Sequence, residues 1–542
     1  MRHPFSYRHN MTSILVVLLL TGMSLLTSCQ QSSSSQKYNK IDYLLGLINK
    51  QYVDTVDIHD IIERAMPEIL SELDPHSSYI PAEDLQQNND ELEGSFSGIG
   101  VQFTINHDTL HINDVITGGP SEKVGIMPGD RIIKVDDSLF IGKICTNREA
   151  MKRLKGPQGS KVKLEISRRN VKKLIPFEIT RDRIPQHSIE TMYMITPQIG
   201  YIQIDRFART TPIEMLTAIA RLNHQGAKSL IIDLRGNTGG YMESAVQMAN
   251  EFLPENAMIV FSQGRSYPKS EEYANGRGSS LEVPLAVLID EGSASASEIF
   301  SGAIQDNDRG LIIGRRSFGK GLVQQPIAFS DGSAIRLTVA RYYTPSGRCI
   351  QRPYKDGQDM DYQLDLLHRY QNGEFFHEDS IKLNRDSIYY TVKGRKVYGG
   401  GGIMPDIFVP RDTTGVSSYL AETINNGTIR QWAFGYTDNN RKTLVKYDNL
   451  VKMVQYLNTQ SIVPTFVNYA SKHDIKRRTI LINKSYKLLR MNLYGAIIYN
   501  ILGRQSYMAF INKTDDTVNR AITELKNKTT LEALASTSKE EQ

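Results

Sequence analysis

Apolar residues recur at helical spacing through Ile41, Leu44, Leu45 and Ile48, and again from Ile58 to Leu73, so the first regular elements are amphipathic helices. Leu73-Asp74-Pro75-His76-Ser77-Ser78-Tyr79 breaks that pattern, and Glu83 to Glu93 is polar enough to read as a linker. From Gly94 the period falls to two. Val101, Phe103 and Ile105 alternate, Leu110 and Ile112 resume after a turn at His107-Asp108, and Val162, Leu164 and Ile166 alternate again, which predicts short antiparallel strands across residues 94–182. Residues 183–410 read differently. Leu230-Ile231-Ile232, Leu285 to Ile289 and Leu311-Ile312-Ile313 are continuous apolar runs suited to a sheet covered on both faces, with helices such as Ser244 to Phe252 between them. Ile335, Leu337 and Val339 alternate and add a half-exposed strand. Beyond Pro410, the stretches Asn449 to Leu457, Lys476 to Leu493 and Thr517 to Leu525 look helical, so residues 411–542 are expected to form a C-terminal helical module. The expected fold class is multidomain α/β, with an N-terminal helical segment, a small β domain, a mixed-sheet α/β core and that last module.

At 542 residues, 40% hydrophobic and 23% charged, the composition is that of a globular chain of several domains. Its 64 basic and 59 acidic residues are interspersed apart from Lys476-Arg477-Arg478, which argues against nucleic-acid binding. The first 29 residues change the picture more. Arg2 and Arg8 precede an apolar stretch, Ile14 to Leu20, too short to span a bilayer, so residues 1–29 read as a signal peptide. Leu26-Thr27-Ser28-Cys29 resembles a bacterial lipobox, which implies lipidation of Cys29, with residues 30–36 as a flexible tether. The expectation is an exported protein of the bacterial cell envelope, held at the membrane by a lipid anchor and facing the periplasm. Cys145 and Cys349 make no disulfide framework, and the 11 histidines form no metal-ligand motif, so no cofactor is expected.

Glycine-rich turns punctuate the strands of residues 94–182: Gly98-Ile99-Gly100, Gly118-Gly119-Pro120-Ser121, Gly125-Ile126-Met127-Pro128-Gly129-Asp130 and Lys155-Gly156-Pro157-Gln158-Gly159. Together they resemble a PDZ domain. Such a turn leaves backbone N–H groups free for a terminal carboxylate while a sheet edge pairs with the peptide. Gly98, Ile99 and Gly100 are the candidate carboxylate binders, beside Phe96. The partners implied are proteins or peptides bound by their C-termini.

Three loops follow the three apolar runs, where functional groups concentrate. Asp233-Leu234-Arg235-Gly236-Asn237-Thr238-Gly239-Gly240 could give half of an oxyanion hole, or serve packing. Gly292-Ser293-Ala294-Ser295-Ala296-Ser297-Glu298 enters a helical stretch, where a serine is either a nucleophile or a cap. Gly314-Arg315-Arg316-Ser317-Phe318-Gly319-Lys320 matches the spacing of a nucleotide-binding P-loop, but Gly321 stands where a Ser or Thr is needed and Pro326 where a helix must run.

Ser293-Ala294-Ser295-Ala296-Ser297-Glu298-Ile299, Ser317-Phe318-Gly319-Lys320-Gly321 with Gln324, Leu73-Asp74-Pro75-His76-Ser77 and Gly402-Ile403-Met404-Pro405-Asp406 resemble the C-terminal processing (tail-specific) peptidase family, across about residues 40–410. The resemblance implies a serine endopeptidase with Ser295 as nucleophile, Lys320 as general base and Gln324 as its support. It also implies an oxyanion hole from the amides of Ala296 and Gly240, an assignment that slips by one if the glycine run is read differently. A lysine base must be neutral, which requires burial to lower it about two to three units from 10.4. His76 falls in a motif that the family places in the N-terminal structure, and is read as packing. A non-catalytic PDZ adaptor on a protease fold is the alternative; an adaptor lipoprotein and a homo-oligomer are left open.

Overall fold

A computed structural model describes residues 40–528, apart from 107, 117, 170, 355–358, 383 and 385; Cys29 and the tether lie outside the described residues. The chain divides after Leu73 into two units. The first contains α1 (Lys40–Gln51) and α2 (Ile58–Ser71), the second of which starts where the Asp57 carboxylate accepts from the His59 amide. These are the two helices that the apolar spacing predicts.

The second unit opens with β1 (Ser78–Ile80) and α3 (Ala82–Glu93). The stretch expected to be a linker is thus a helix. Its carboxylates Asp90 and Glu93 pair with Lys155 and Arg209, so polar contacts serve it in place of an apolar stripe, and Gly94 ends it in the left-handed conformation (φ 74°).

The β domain follows: β2 (Ser95–Gly98), β3 (Val101–Asn106), β4 (Thr109–Val115), α4 (Pro120–Lys123), β5 (Arg131–Val135), β6 (Ser138–Leu139), α5 (Asn147–Leu154), β7 (Lys161–Ser167), β8 (Ile175–Thr180) and β9 (Asp182–Pro185). Its main sheet has the order β3-β4-β5-β7-β8, and β2 pairs with β9. The alternating residues face one core, with Leu110, Ile112, Ile132, Val162 and Ile166 all buried.

The α/β core contains β10 (Thr191–Thr196), β11 (Ile199–Gln203), α6 (Thr211–His224), β12 (Ser229–Asp233), α7 (Met242–Asn250), β13 (Met258–Gln263), β14 (Ser270–Tyr273), β15 (Leu285–Ile289), α8 (Ala296–Asp306), β16 (Leu311–Gly314), β17 (Leu322–Ala328), β18 (Ala334–Tyr343), α9 (Asp359–Gln371), β19 (Ile388–Tyr390), β20 (Lys396–Tyr398) and β21 (Ile407–Phe408). The three apolar runs lie side by side in the sheet β10-β11-β12-β15-β16-β21, which is parallel from β11 onward. Their loops therefore leave the same edge of the sheet. A second sheet, β1-β18-β13-β14 with β17 on β18, draws β1 from before the β domain into the core.

The last region holds α10 (Ser418–Asn425), α11 (Thr428–Leu444), α12 (Leu450–Asn458), α13 (Ile462–Ser471), α14 (Thr479–Lys484), α15 (Tyr486–Ile511) and α16 (Asp516–Asn527). The helices from α10 to α15 share a core around Trp432, Phe466 and Leu493. The final helix does not. Val518, Ala521 and Leu525 of α16 pack instead on Ile231, Leu288 and Ile313, covering one face of the parallel sheet. The C-terminal stretch is thus split between a module of its own and the wall of the α/β core, because a sheet apolar on both faces must be covered on both.

Candidate active site

Between the end of β15 and the start of α8 the chain turns sharply at Ser295, which takes φ 55° and ψ −113°. A non-glycine residue in that region stores about 1–3 kcal/mol of strain and needs surroundings that hold it. Such a strand-to-helix turn puts a serine side chain at the apex, beside the unpaired N–H groups of the helix start. The glycine loop after β12 supplies part of the hold. A Cβ added at Gly239 (φ 105°) would stand 2.8 Å from the Ser295 Cβ and 2.9 Å from the Ala296 nitrogen, so only glycine lets the two loops meet.

In the same loop the amides on either side of Gly240 are engaged. Gly239 N–H donates to Asn237 Oδ1 (2.9 Å) and Tyr241 N–H to the Phe207 carbonyl (2.8 Å). The Gly240 amide between them, and the Ala296 amide in the first turn of α8, have no acceptor among the described residues. Gly240 and Ala296 are the residues whose amides were named from the sequence for an oxyanion hole.

Glu298, read from the sequence only as a favourable charge in a first helical turn, is fully buried and joins the two reactive loops. Its Oε2 accepts from the amides of Ser295 (2.8 Å) and Lys320 (2.9 Å). Its Oε1 accepts from the Ser317 hydroxyl (2.5 Å) and the Gly319 amide (2.7 Å). Tyr342, from β18, closes the other side: its buried hydroxyl faces both the Ser295 carbonyl (3.1 Å) and the Lys320 carbonyl. One carboxylate and one phenol thus bridge the backbones of residues 295 and 320.

The Lys320 amine, largely screened from water, donates to Gln324 Oε1 at 3.0 Å. Burial, and next the nearby Arg336, hold it below the ordinary lysine value. No hydrogen bond joins it to the Ser295 hydroxyl among the described residues, so the expected direct Ser–Lys contact is not made in this arrangement. The Gln324 amide is itself oriented, because its nitrogen donates to the carbonyl of His76. That carbonyl is fixed by a turn in which Asp74 Oδ1 accepts from the amides of His76 (2.8 Å) and Ser77 (2.9 Å), while Thr338 Oγ1 reaches the same carboxylate at 3.1 Å. The His76 ring, lowered to about 4 first by burial and then by Lys320, is neutral and meets the Tyr362 hydroxyl at 2.8 Å. The packing role read for His76 is thus joined by one in holding Gln324. The P-loop reading fails here, since a strand, β17, follows Lys320 where a helix is required.

Burial pushes the Glu298 carboxyl up to about 7 against the four hydrogen bonds that pull it down. Protonation would turn an acceptor toward donors and loosen the bridge. That opposes catalysis as pH falls, so the log of peptide-cleavage rate should drop below about pH 7 with a slope approaching about one. Stability moves the other way for Glu298. A carboxyl raised in the fold stabilises fully below its unfolded value of 4.5, and that contribution is lost as pH rises through about 7. A rate that is flat from pH 5 to 8 would contradict this assignment.

In the β domain, Gly98 ends β2, and the next two residues turn into β3 with Gly100 at φ 75°. The amides of Ile99 and Gly100 reach no backbone acceptor among the described residues, whereas their carbonyls are bonded by Ser121 (3.0 Å) and Ile116 (3.0 Å). The Phe96 ring beside the turn is covered by the Lys155 amine at 4.7 Å.

A PDZ domain leading into an α/β core with a serine at a strained strand-to-helix turn defines the class, a serine-type peptidase. The PDZ domain family matches residues 97–179, and Peptidase family S41 matches residues 198–363. Residues 419–503 match a family of unknown function. The Carboxy-terminal-processing protease of Bartonella bacilliformis is 35% identical over 400 residues, covering 73% of this chain and 89% of that protein. Carboxy-terminal processing protease CtpA of Bacillus subtilis is 35% identical over 341 residues, 62% of this chain and 72% of its own. Among solved structures, the photosystem II D1 C-terminal processing protease aligns at 25% identity and a TM-score of 0.32, covering 57% of this chain and 88% of that one. The chain belongs to the carboxy-terminal processing protease family.

Proposed function

We propose that this peptidase is an endopeptidase that cleaves exported proteins after its PDZ domain has captured their C-terminal tails. Ser295 attacks the scissile carbonyl, Lys320 takes its proton, and Gln324 holds the amine in place. The amides of Gly240 and Ala296 receive the oxyanion of the acyl-transfer intermediates. The carboxylate of the tail is received at Gly98, Ile99 and Gly100. Export and anchoring through Cys29 follow from the N-terminal sequence alone. The observation that carries this reading is the strained turn at Ser295, flanked by two unengaged amides and backbone-bridged to a lysine whose amine is held below its ordinary value. Hydrogen bonds between nucleophile and base commonly tighten only with substrate bound, so the missing Ser295–Lys320 contact is expected to form then.

The test is cleavage of an unstructured peptide with a free carboxylate. Ser295→Ala should lower the rate about 10⁴-fold with unchanged thermal stability. An alanine variant cleaving within tenfold of wild type would refute the nucleophile.

A further inference from the structure

A cavity of about 1450 Å³ opens between the PDZ domain, the α/β core and the C-terminal helices. One wall is β3 from Gln102 to Asn106, and others are α11 (Arg430, Phe434) and α15 (Lys487, Asn492). The helical wall is fastened to the PDZ domain. Arg169 donates to the backbone carbonyl of Asp438 at 2.7 Å, Arg131 lies 3.6 Å from the carboxylate of the same residue, and the Phe434 ring meets His111 edge-on at 5.0 Å. Because β3 is the edge of its sheet, a tail whose carboxylate sits at Ile99 and Gly100 pairs with it antiparallel. Its upstream residues run toward Asn106, about 20 Å on, and into this cavity.

The lining is unbalanced in charge, with six cationic against three acidic residues. Arg235 and Arg315 are neutralised by Asp233, Asp515 and Glu291. Arg430 and Lys484 are exposed and have no carboxylate within ion-pair distance among the described residues; Lys487, also exposed, lies within electrostatic reach of the exposed Asp412. We infer that this cavity is a channel for the part of the substrate upstream of its C-terminus, and that Arg430, Lys484 and Lys487 select extended peptides acidic about six to ten residues before the terminal carboxylate. This rests on the PDZ reading proposed above and makes the helical module the cationic wall of the channel.

The probes are two labelled 14-residue peptides sharing the same last five residues, one with Asp and Glu upstream and one with Asn and Gln. Their affinities for the full Ser295→Ala chain are read by fluorescence anisotropy. The acidic peptide should bind about tenfold tighter at low salt, with the gap closing in 0.5 M NaCl and in the exposed-site triple variant Arg430→Gln/Lys484→Gln/Lys487→Gln. Equal affinity of the two peptides overturns the channel and leaves the PDZ reading standing. An acidic preference that survives the triple variant overturns it too, by placing selectivity elsewhere. If neither peptide binds, both readings fall.

Discussion

Methionine at position 320 should abolish peptide cleavage, by about 10⁴-fold, in a protein that melts no lower than wild type at neutral pH. The two halves of this result have one cause. An amine held below its ordinary value by burial is a base that can accept the serine proton, and it is also a group that the fold keeps at a cost. Each unit of depression costs about 1.4 kcal/mol. That deficit is fully present at pH below the depressed value and disappears as pH rises to the lysine range near 10.5, since the unfolded chain binds the proton more tightly there. Methionine fills the same space without the charge and sacrifices only the hydrogen bond to Gln324, about 1 kcal/mol. Thermal melting together with cleavage of an unstructured peptide decides the matter. Cleavage retained within tenfold would remove Lys320 from the mechanism, and a fall of many degrees would show the amine to be structural.

Alanine at position 298 should damage both stability and rate. Four donors converge on the Glu298 carboxylate: the amides of Ser295, Gly319 and Lys320 and the Ser317 hydroxyl. Removing the acceptor leaves buried donors unsatisfied, at about 3–5 kcal/mol for the set. For a domain the size of the α/β core, at about 2–4 °C per kcal/mol, that lowers the melting temperature by about 6–20 °C. The positioning effect is separate. Without the bridge, residues 295 and 320 keep the link through Tyr342 and their loops the Phe318 amide to Ser293 carbonyl bond, and the Ser295 turn loses one of the contacts that hold its strain. Cleavage should fall at least about 100-fold even well below the melting temperature, in kcat more than in KM. Near-native kcat in Glu298→Ala would mean that the two loops hold their register without the carboxylate.

The reactive loops were legible because their signals are local. Continuous apolar runs mark β12, β15 and β16, and small residues after each run mark loops free of packing. Ser295, Lys320 and Gln324 were read from such loops with the help of a family resemblance, and the fold brings their loops to one edge of one sheet. Glu298 and Tyr342 were missed in their bridging roles, and the carbonyl of His76 could not be found, because each acts on backbone groups that every residue carries. An acceptor for an amide has no sequence pattern when the amide is 22 positions away, nor when a carbonyl lies 248 positions from its donor.

By itself the sequence determined the most regular strands of the two main domains, among them β3, β4, β7, β12, β15, β16 and β18, since periodicity of apolar residues is written residue by residue. It also determined the chemical types at the reactive turn. Tertiary structure alone decided that the Gly240 amide stays unengaged, that the final helix covers the catalytic sheet, and that the helical module faces the PDZ edge strand across a cavity. Those outcomes depend on hydrogen-bond and packing partners far apart along the chain, and only the folded backbone brings them within a few ångströms.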